Sequence, residues 1–381
     1  MQIEGLAVCL FGLESCVSHE LKDMNITPTV VTDGRVYFIA DERDIVRANL
    51  KLRTAERVYV RMASFKAETF EELYQGVKSI PLDKYLPKDA AFPISKATSL
   101  KSTLHSLPSI QSISKKAMID KMKIIYGEDT IFKETGVKYP IHVFLYKNTA
   151  DILLDTSGES LHKRGYRAKS SIAPIRETLA AAMVMLSPWK RGRILIDPMC
   201  GSGTVVIEAA LIGANIAPGI NRNFIGEQFD FLPKKIWVEE RKAALETEIS
   251  DPFTIYGSDI DKSVLKIAQT NAGYAGVSDF IKFENKDISS IRSDEEYGFL
   301  ITNPPYGKRI GDKQKIEEIY SKIKKCTYRL KNWSYFIITD YAEIEKTLGK
   351  KASKKRKLYN GMIKTNYYSF LGKKPENIKG D

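Results

Sequence analysis

The chain has 381 residues, 43% of them hydrophobic, which is enough for two or three domains with ordinary buried cores. No apolar run is long enough to span a membrane, and Glu4 and Gly5 interrupt the N-terminus too early for a signal peptide, so a soluble, cytoplasmic protein is expected. A formal net charge of +12 and a pI near 9.2 point to a polyanionic partner, nucleic acid first, against the blander reading of a solvated lysine-rich surface.

The first stretch alternates short elements. Gly5 to Phe11 reads as a strand and Glu14 to Met24 as a helix. Thr29 to Ala40 reads as a hairpin about Asp33-Gly34. Asp41 to Thr54 is expected to be helical, with Asp41 or Asp44 in its first turn, and Val58 to Ala63 to be a strand. Residues 65–155 form a second α+β stretch. It contains a helix over Thr69 to Ser79, an extended Phe92 to Lys96, and a helix over Ser112 to Tyr126 capped by Ser112 or Ser114. The apolar positions of that last helix are Ile113, Ala117 and Ile124. A strand pair, Tyr139 to Tyr146 and Ala150 to Asp155, closes the stretch.

The pattern changes near Thr156-Ser157-Gly158. Short buried strands at 194–197, 253–258, 280–284, 298–302 and 333–338 alternate with helices at 204–213, 262–273 and 315–331, the pattern of a parallel sheet. Ile316, Ile319, Tyr320, Ile323 and Leu330 share one face of the last helix. Lys355 to Tyr359 and Met362 to Leu371 flank Asn360-Gly361 as a hairpin. The expected fold is α/β: a Rossmann-like domain preceded by smaller α+β domains.

Two motifs carry the chemistry. Asp197-Pro198-Met199-Cys200-Gly201-Ser202-Gly203-Thr204 follows the first parallel strand. Glycines at 201 and 203 let a backbone approach a ligand closely, and the helix that follows aims free N–H groups at it. There is no Gly-Lys-Ser/Thr for a phosphate loop and no third glycine for a dinucleotide fold, since positions 205 and 206 are Val. S-adenosylmethionine fits this loop. Asp259, ending the second strand, can accept ribose hydroxyls, although residues 214–252 intervene as an insertion; Asp261 reads as the cap of the next helix. Asp287, ending the third strand, can accept an adenine amino group.

The second motif is Asn303-Pro304-Pro305-Tyr306-Gly307, after Phe299-Leu300-Ile301-Thr302. The lone pair of an exocyclic base amine is delocalised into the ring. The Asn303 side-chain oxygen and the Pro304 carbonyl can hold its two N–H bonds and turn that lone pair toward a methyl donor. Pro305 fixes the turn and Tyr306 can stack on a flipped base. A rigid Pro-Pro turn is the alternative. Cys9, Cys16, Cys200 and Cys326 are scattered, as are the four histidines, so neither a disulfide framework nor a metal site is expected. Cys200 stands in the cofactor loop as a small packing residue, not as the nucleophile of a cytosine-C5 enzyme.

Leu161-His162-Lys163-Arg164-Gly165-Tyr166-Arg167, Ala173-Pro174-Ile175-Arg176-Glu177, the two motifs above and Arg356-Lys357-Leu358-Tyr359-Asn360-Gly361 complete a resemblance. The whole chain resembles the THUMP-domain RNA guanine-N2 methyltransferases, most closely the bacterial 23S rRNA type with a single catalytic domain. That resemblance implies a ferredoxin-like domain over 1–44, an RNA-binding THUMP domain over 45–155 and a methyltransferase domain over 156–381. It implies S-adenosylmethionine at Ala173, Pro174, Asp197, Cys200, Gly201, Gly203, Thr204, Asp259, Asp287 and Asn303, with transfer at Asn303, Pro304 and Tyr306. The expected RNA contacts are Lys96, Lys101, Lys115, Lys116, Lys355 and Arg356. A transfer-RNA substrate, adenine-N6 methylation, protein glutamine methylation and a non-catalytic RNA-binding protein are the competing readings.

Overall fold

The computed structural model describes residues 2–167, 175–305 and 313–374. In chain order its elements are β1 (Ile3–Cys9), α1 (Glu14–Asp23), β2 (Thr27–Thr32), β3 (Arg35–Ala40), α2 (Glu42–Lys51), β4 (Ala55–Lys66), α3 (Phe70–Lys78), β5 (Ile94–Leu100), α4 (Leu107–Tyr126), β6 (Ile141–Tyr146) and β7 (Thr149–Asp155). There follow α5 (Glu177–Met185), β8 (Leu195–Asp197), α6 (Thr204–Gly213), α7 (Lys234–Glu246), β9 (Ile255–Asp259), α8 (Lys262–Tyr274), β10 (Ile281–Asn285), β11 (Phe299–Thr302), α9 (Lys313–Arg329), β12 (Ser334–Thr339), α10 (Ile344–Leu348), β13 (Lys354–Asn360) and β14 (Ile363–Phe370).

The chain divides into two compact units. The first holds Met1–Cys9, Val17–Leu161 and Arg222–Ala243; the second holds Leu10–Cys16, His162–Asn221 and Ala244–Asp381. In the first, a single seven-stranded sheet runs in the order β2-β3-β1-β4-β7-β6-β5, with only β5 and β6 parallel. Local chemistry sets its connections. Asp33-Gly34 turns β2 into β3, with Gly34 at φ 72°, and Lys147 and Asn148, both left-handed, make the two-residue turn from β6 to β7. Reciprocal capping boxes open α2 (Asp41 with Asp44) and α3 (Thr69 with Glu72).

Helix α4 departs from the sequence expectation. It starts at Leu107, with Pro108 in its first turn and Ser106 at the cap position, so Ser112 and Ser114 lie inside it. Its buried face is Ile110, Ser114, Ala117, Met118 and Met122, while Ile124 is exposed. The packed stripe follows Ile110, Ala117, Met118 and Met122 at helical spacing, so Ile113 and Ile124 fall outside it. Strand β4 is also longer than expected, because it is paired on both sides, with β1 and with β7.

The segment 222–243 belongs to the first unit. Phe229 stacks on Tyr139 at 4.3 Å between ring centroids and Phe231 meets Tyr85 edge-on at 5.6 Å. On α7, Glu239 and Glu240 accept from Arg43 at 2.6 and 2.7 Å, and Glu240 also accepts from Arg47 at 2.9 Å. The insertion expected within the third domain is therefore in part a piece of the first unit.

The second unit is a seven-stranded sheet in the order β10-β9-β8-β11-β12-β14-β13. Strands β8 to β12 are mutually parallel where paired, and β14 and β13 close the sheet antiparallel. One face is covered by α9, whose Tyr320, Ile323 and Leu330 pack with Ile196, Leu300, Ile337, Tyr368 and Phe370; Ile316 and Ile319 are half-buried beside them. The strand order reverses between β8 and β11, which makes the carboxyl ends of these two strands the topological switch point of the sheet, the position where ligands bind in sheets of this kind.

Candidate active site

Every described residue expected to bind a cofactor in the second unit follows or ends one of the strands β8, β9, β10 and β11. Asp197 is the last residue of β8 and is fully buried. Its Oδ1 accepts from the Thr302 hydroxyl at 2.7 Å and from the Met199 N–H at 3.1 Å. The Thr302 bond ties the ends of β8 and β11 together, so the glycine loop and Asn303 start from one fixed point. Burial pushes the Asp197 carboxyl up to about 7, and the nearby Asp259 charge adds to the rise; the Thr302 and Met199 bonds pull the other way.

The loop is then held from β9. The Cys200 N–H donates to the Ser258 carbonyl at 2.9 Å, and the Gly201 N–H donates to Asp259 Oδ2 at 3.0 Å. Asp259 Oδ1 accepts the Asp261 N–H at 3.0 Å. Asp259 thus fixes the loop as well as standing at the expected ribose position, and each oxygen retains a second lone pair. Asp261 caps α8 as expected, accepting the Ser263 N–H at 2.8 Å.

The two glycines differ. Gly201 has φ 54°, and a Cβ there would meet nothing within 4 Å, so bare backbone faces open space that a ligand can enter. Gly203 has φ 85°, and a Cβ there would lie 3.0 Å from the Ala268 Cβ and 3.3 Å from Ile207 Cδ1. Its missing side chain serves the packing of α6 on α8, not ligand approach. As the cap residue of α6, Gly203 offers no side-chain acceptor to the first-turn N–H groups. The Cys200 thiol is buried and is pushed well above its ordinary range by burial and by the Asp197 and Asp259 charges, which makes it a poor nucleophile.

Asp287, just beyond β10, is already engaged. Its Oδ1 caps a short turn by accepting the Ser289 N–H at 2.8 Å, and its Oδ2 meets Lys322 Nζ at 3.3 Å. These contacts hold it below the usual carboxylate range, the Ser289 bonds contributing most. Asn303 is half-buried directly after β11. Its Oδ1 is buried without a hydrogen-bond partner among the described residues. Pro304 is buried and Pro305 exposed. Ala173, Pro174 and Tyr306 lie outside the described residues.

Thr302 gave no signal in the sequence beyond its place before Asn303. A second unanticipated group stands behind the loop. Arg167 donates to the Thr204 hydroxyl at 2.9 Å and the Ile175 carbonyl at 3.1 Å, and pairs with Glu177 at 3.4 Å. Buried Glu208 on α6 accepts from Arg164 at 3.4 Å and from the Tyr166 hydroxyl at 3.1 Å. All of these but Glu208 sit in the segments quoted for the resemblance, but their role as a buried brace of α6 needed the fold to be seen.

The expected RNA contacts fall into two groups. In the first unit, Lys96, Lys101 and Lys116 are exposed. Lys115 is differently placed: its ammonium pairs with Glu134 at 2.6 Å, donates to the Phe92 carbonyl at 3.1 Å and lies 3.5 Å above the Phe92 ring. In the second unit Lys355 is exposed, whereas Arg356 donates to the Gly12 carbonyl and the Ser15 hydroxyl, each at 3.0 Å, and so anchors Leu10–Cys16.

Comparison with known proteins agrees with this architecture. Residues 164–369 match the model of the RMKL-like methyltransferase domain, residues 67–155 the THUMP domain and residues 4–59 the RlmL ferredoxin-like domain. The chain is 43% identical over 380 residues to YpsC of Bacillus subtilis (strain 168), provisionally named an RNA methyltransferase, covering 98% of this chain and 97% of YpsC. It is 30% identical to the ribosomal RNA large subunit methyltransferase K/L of Syntrophotalea carbinolica (strain DSM 2380 / NBRC 103641 / GraBd1), covering 94% of this chain and about half, 52%, of that protein. Among solved structures, SMU.472, provisionally named a methyltransferase and complexed with SAH, superposes with a TM-score of 0.92 at 38% identity, covering 98% of this chain and 99% of that one. Among the described residues no helix is long and apolar enough to cross a membrane.

Proposed function

The chain belongs to the RMKL-like methyltransferase family, and from that premise we propose that it is an S-adenosylmethionine-dependent RNA methyltransferase acting on the exocyclic N2 amine of a guanine, in 23S ribosomal RNA, in the cytoplasm. The observation that carries the chemistry is the buried Oδ1 of Asn303 at the topological switch point, which has no hydrogen-bond partner among the described residues. A buried acceptor without a donor is costly, about 1–3 kcal/mol, and is retained where an incoming donor completes it.

The residues fit the cofactor. Open space beside Gly201, the uncapped first turn of α6 and carboxylates at the ends of β8 and β9 form a polar cradle without intruding side chains. Asp197, Cys200, Gly201, Thr204, Asp259 and Asp287, with Ala173 and Pro174, would hold it, while Gly203 shapes the turn into α6. When bound, the cofactor supplies an electrophilic methyl group on a sulfonium.

Asn303 Oδ1 then accepts one N–H of the target amine and the Pro304 carbonyl the other. Both acceptors orient the nitrogen lone pair and stabilise the positive charge that develops on it. No strong base is required, because the nitrogen becomes far more acidic as it gains the methyl group. Tyr306 would stack on the extruded base. RNA is gripped through residues 45–155, with Lys96, Lys101 and Lys116 on phosphates, in keeping with the net charge of +12.

The test is transfer from radiolabelled S-adenosylmethionine to ribosomal RNA, followed by digestion to nucleosides. Label in N2-methylguanosine is expected. Label in N6-methyladenosine, or only in transfer RNA or protein, would overturn the base or the substrate while leaving amine methylation in place.

A further inference from the structure

Residues 349–374 hold nine Lys and Arg residues and no Asp or Glu. Most of these cations lie on the hairpin of β13 and β14 or next to it. Register places the hairpin relative to the site. Thr302 pairs with Ile337, Ile337 with Tyr368, and Tyr368 with Lys355. Thr339, the last residue of β12, pairs with Asn366, and Asn366 with Lys357. The pairs Tyr359–Lys364 and Asn360–Ile363 therefore continue past the carboxyl edge of the parallel strands, the edge from which Asp197, Asp259 and Asn303 project. The lateral offset from β11 to β13 is three strand spacings, about 14 Å.

Alternation gives the hairpin two faces. Arg356, Leu358, Thr365 and Tyr367 point to the side where Arg356 anchors Gly12 and Ser15 and the Tyr367 hydroxyl donates to the Met183 carbonyl. Lys355, Lys357 and Tyr359 share the other face of β13, all in cation–aromatic contact: Lys355 lies 4.9 Å from the Tyr368 ring and Lys357 5.4 Å from the Tyr359 ring. Anchoring Leu10–Cys16 also brings Phe11 edge-on to Tyr359 at 6.2 Å, leaving Phe11 54% exposed. At the tip Met362 is 99% exposed. Exposed aromatic and thioether groups among cations that pair with no carboxylate among the described residues suit unpaired nucleotides, which offer a phosphate and a stacking face together.

We propose that this hairpin is a substrate-binding surface of the second unit, on which Lys357 and Lys364 hold the phosphates, and Tyr359 with Phe11 the bases, of single-stranded RNA flanking the target nucleotide. The inference rests on the RNA methyltransferase reading above. Arg356 is the structural cation of the hairpin, and Lys357 and Lys364 are its recognition cations.

The experiment measures binding of a labelled single-stranded, guanine-containing RNA oligonucleotide to the full chain over a range of salt. Lys357→Ala with Lys364→Ala should reduce the slope of log affinity against log salt by about 1.4, at about 0.7 per phosphate contact. Tyr359→Ala should weaken binding about 5- to 150-fold, and Tyr359→Phe, which keeps the ring, should restore it. Wild-type affinity and slope in the exposed double-lysine variant would overturn the hairpin proposal, even if Tyr359→Ala proved unstable. If the wild-type chain itself bound no RNA, the RNA methyltransferase reading would fall, and the hairpin proposal with it.

Discussion

Asn303→Ala separates stability from activity. Among the described residues no donor reaches the buried Asn303 Oδ1, a condition that costs about 1–3 kcal/mol. Removing the amide abolishes that cost and sacrifices only the few contacts of a half-buried side chain, about 1 kcal/mol. The variant should therefore be between equal and about 2 kcal/mol more stable than the wild type. Its methyl transfer should fall about 10²–10³-fold, by analogy with losing one preorganised hydrogen-bonding group from a transition-state site, or about 3–4 kcal/mol of barrier. Calorimetric binding of S-adenosylhomocysteine should barely change, because the proposed mechanism uses this oxygen for the base amine. Thermal unfolding and single-turnover transfer of radiolabel measure the two effects on one preparation. Full transfer by a folded Asn303→Ala protein would refute the mechanism, and a clear loss of stability would refute the reading of Oδ1 as an open acceptor.

Asp197 is protonated to a higher pH in the folded chain, about 7, than when unfolded, where its carboxyl has an ordinary value of about 4. Between these values the unfolded state alone has released the proton, so this group makes the protein less stable as pH rises from about 4 to about 7 and adds no further change above. Asp197→Asn keeps an acceptor for Thr302 and Met199 and should lose that dependence; melting curves at pH 5 and pH 8 that shift equally in both proteins would exclude it. Gly201→Ala should cost about 1–2 kcal/mol of stability for its left-handed backbone but lower S-adenosylhomocysteine affinity at least about tenfold, since its Cβ enters the open space of the cradle; calorimetry showing intact affinity would remove Gly201 from the site. Asp259→Ala frees the Gly201 and Asp261 N–H groups as well as removing the ribose acceptor, so cofactor affinity should drop by more than one charge-assisted bond, about 1.5–3 kcal/mol. Glu240→Ala leaves Arg43 and Arg47 without their shared buried partner and should raise hydrogen exchange along α7 while the strands of the first unit stay protected.

The sequence alone was enough wherever the determining interactions are local. Capping boxes at Asp41 and Thr69, the turn at Asp33-Gly34, and the short buried strands of the second unit are written in residues within a few positions of one another, whereas the β13–β14 turn falls one residue later than expected, at Gly361-Met362, because Asn360 pairs with Ile363. The same holds for the placement of the glycine loop after β8 and of Asn303 after β11, because a motif that follows a strand inherits its position from that strand. The start of α4 is not legible locally, because Pro108 permits a helix start that Ser112 and Ser114 offer as well, and only the packing of Ile110 and Met118 chooses between them.

Tertiary structure alone decided everything that depends on a distant partner. The insertion joins the first unit because Phe229 finds Tyr139 and Glu240 finds Arg43, and Leu10–Cys16 joins the second because Arg356 reaches Gly12. Lys115 looks like any other cation in the sequence, yet Glu134 and Phe92 engage it. Asp197 looks like an ordinary acid, yet burial raises its carboxyl to about 7. Charge state and availability are properties of surroundings, and the surroundings of these groups are assembled from residues far away along the chain.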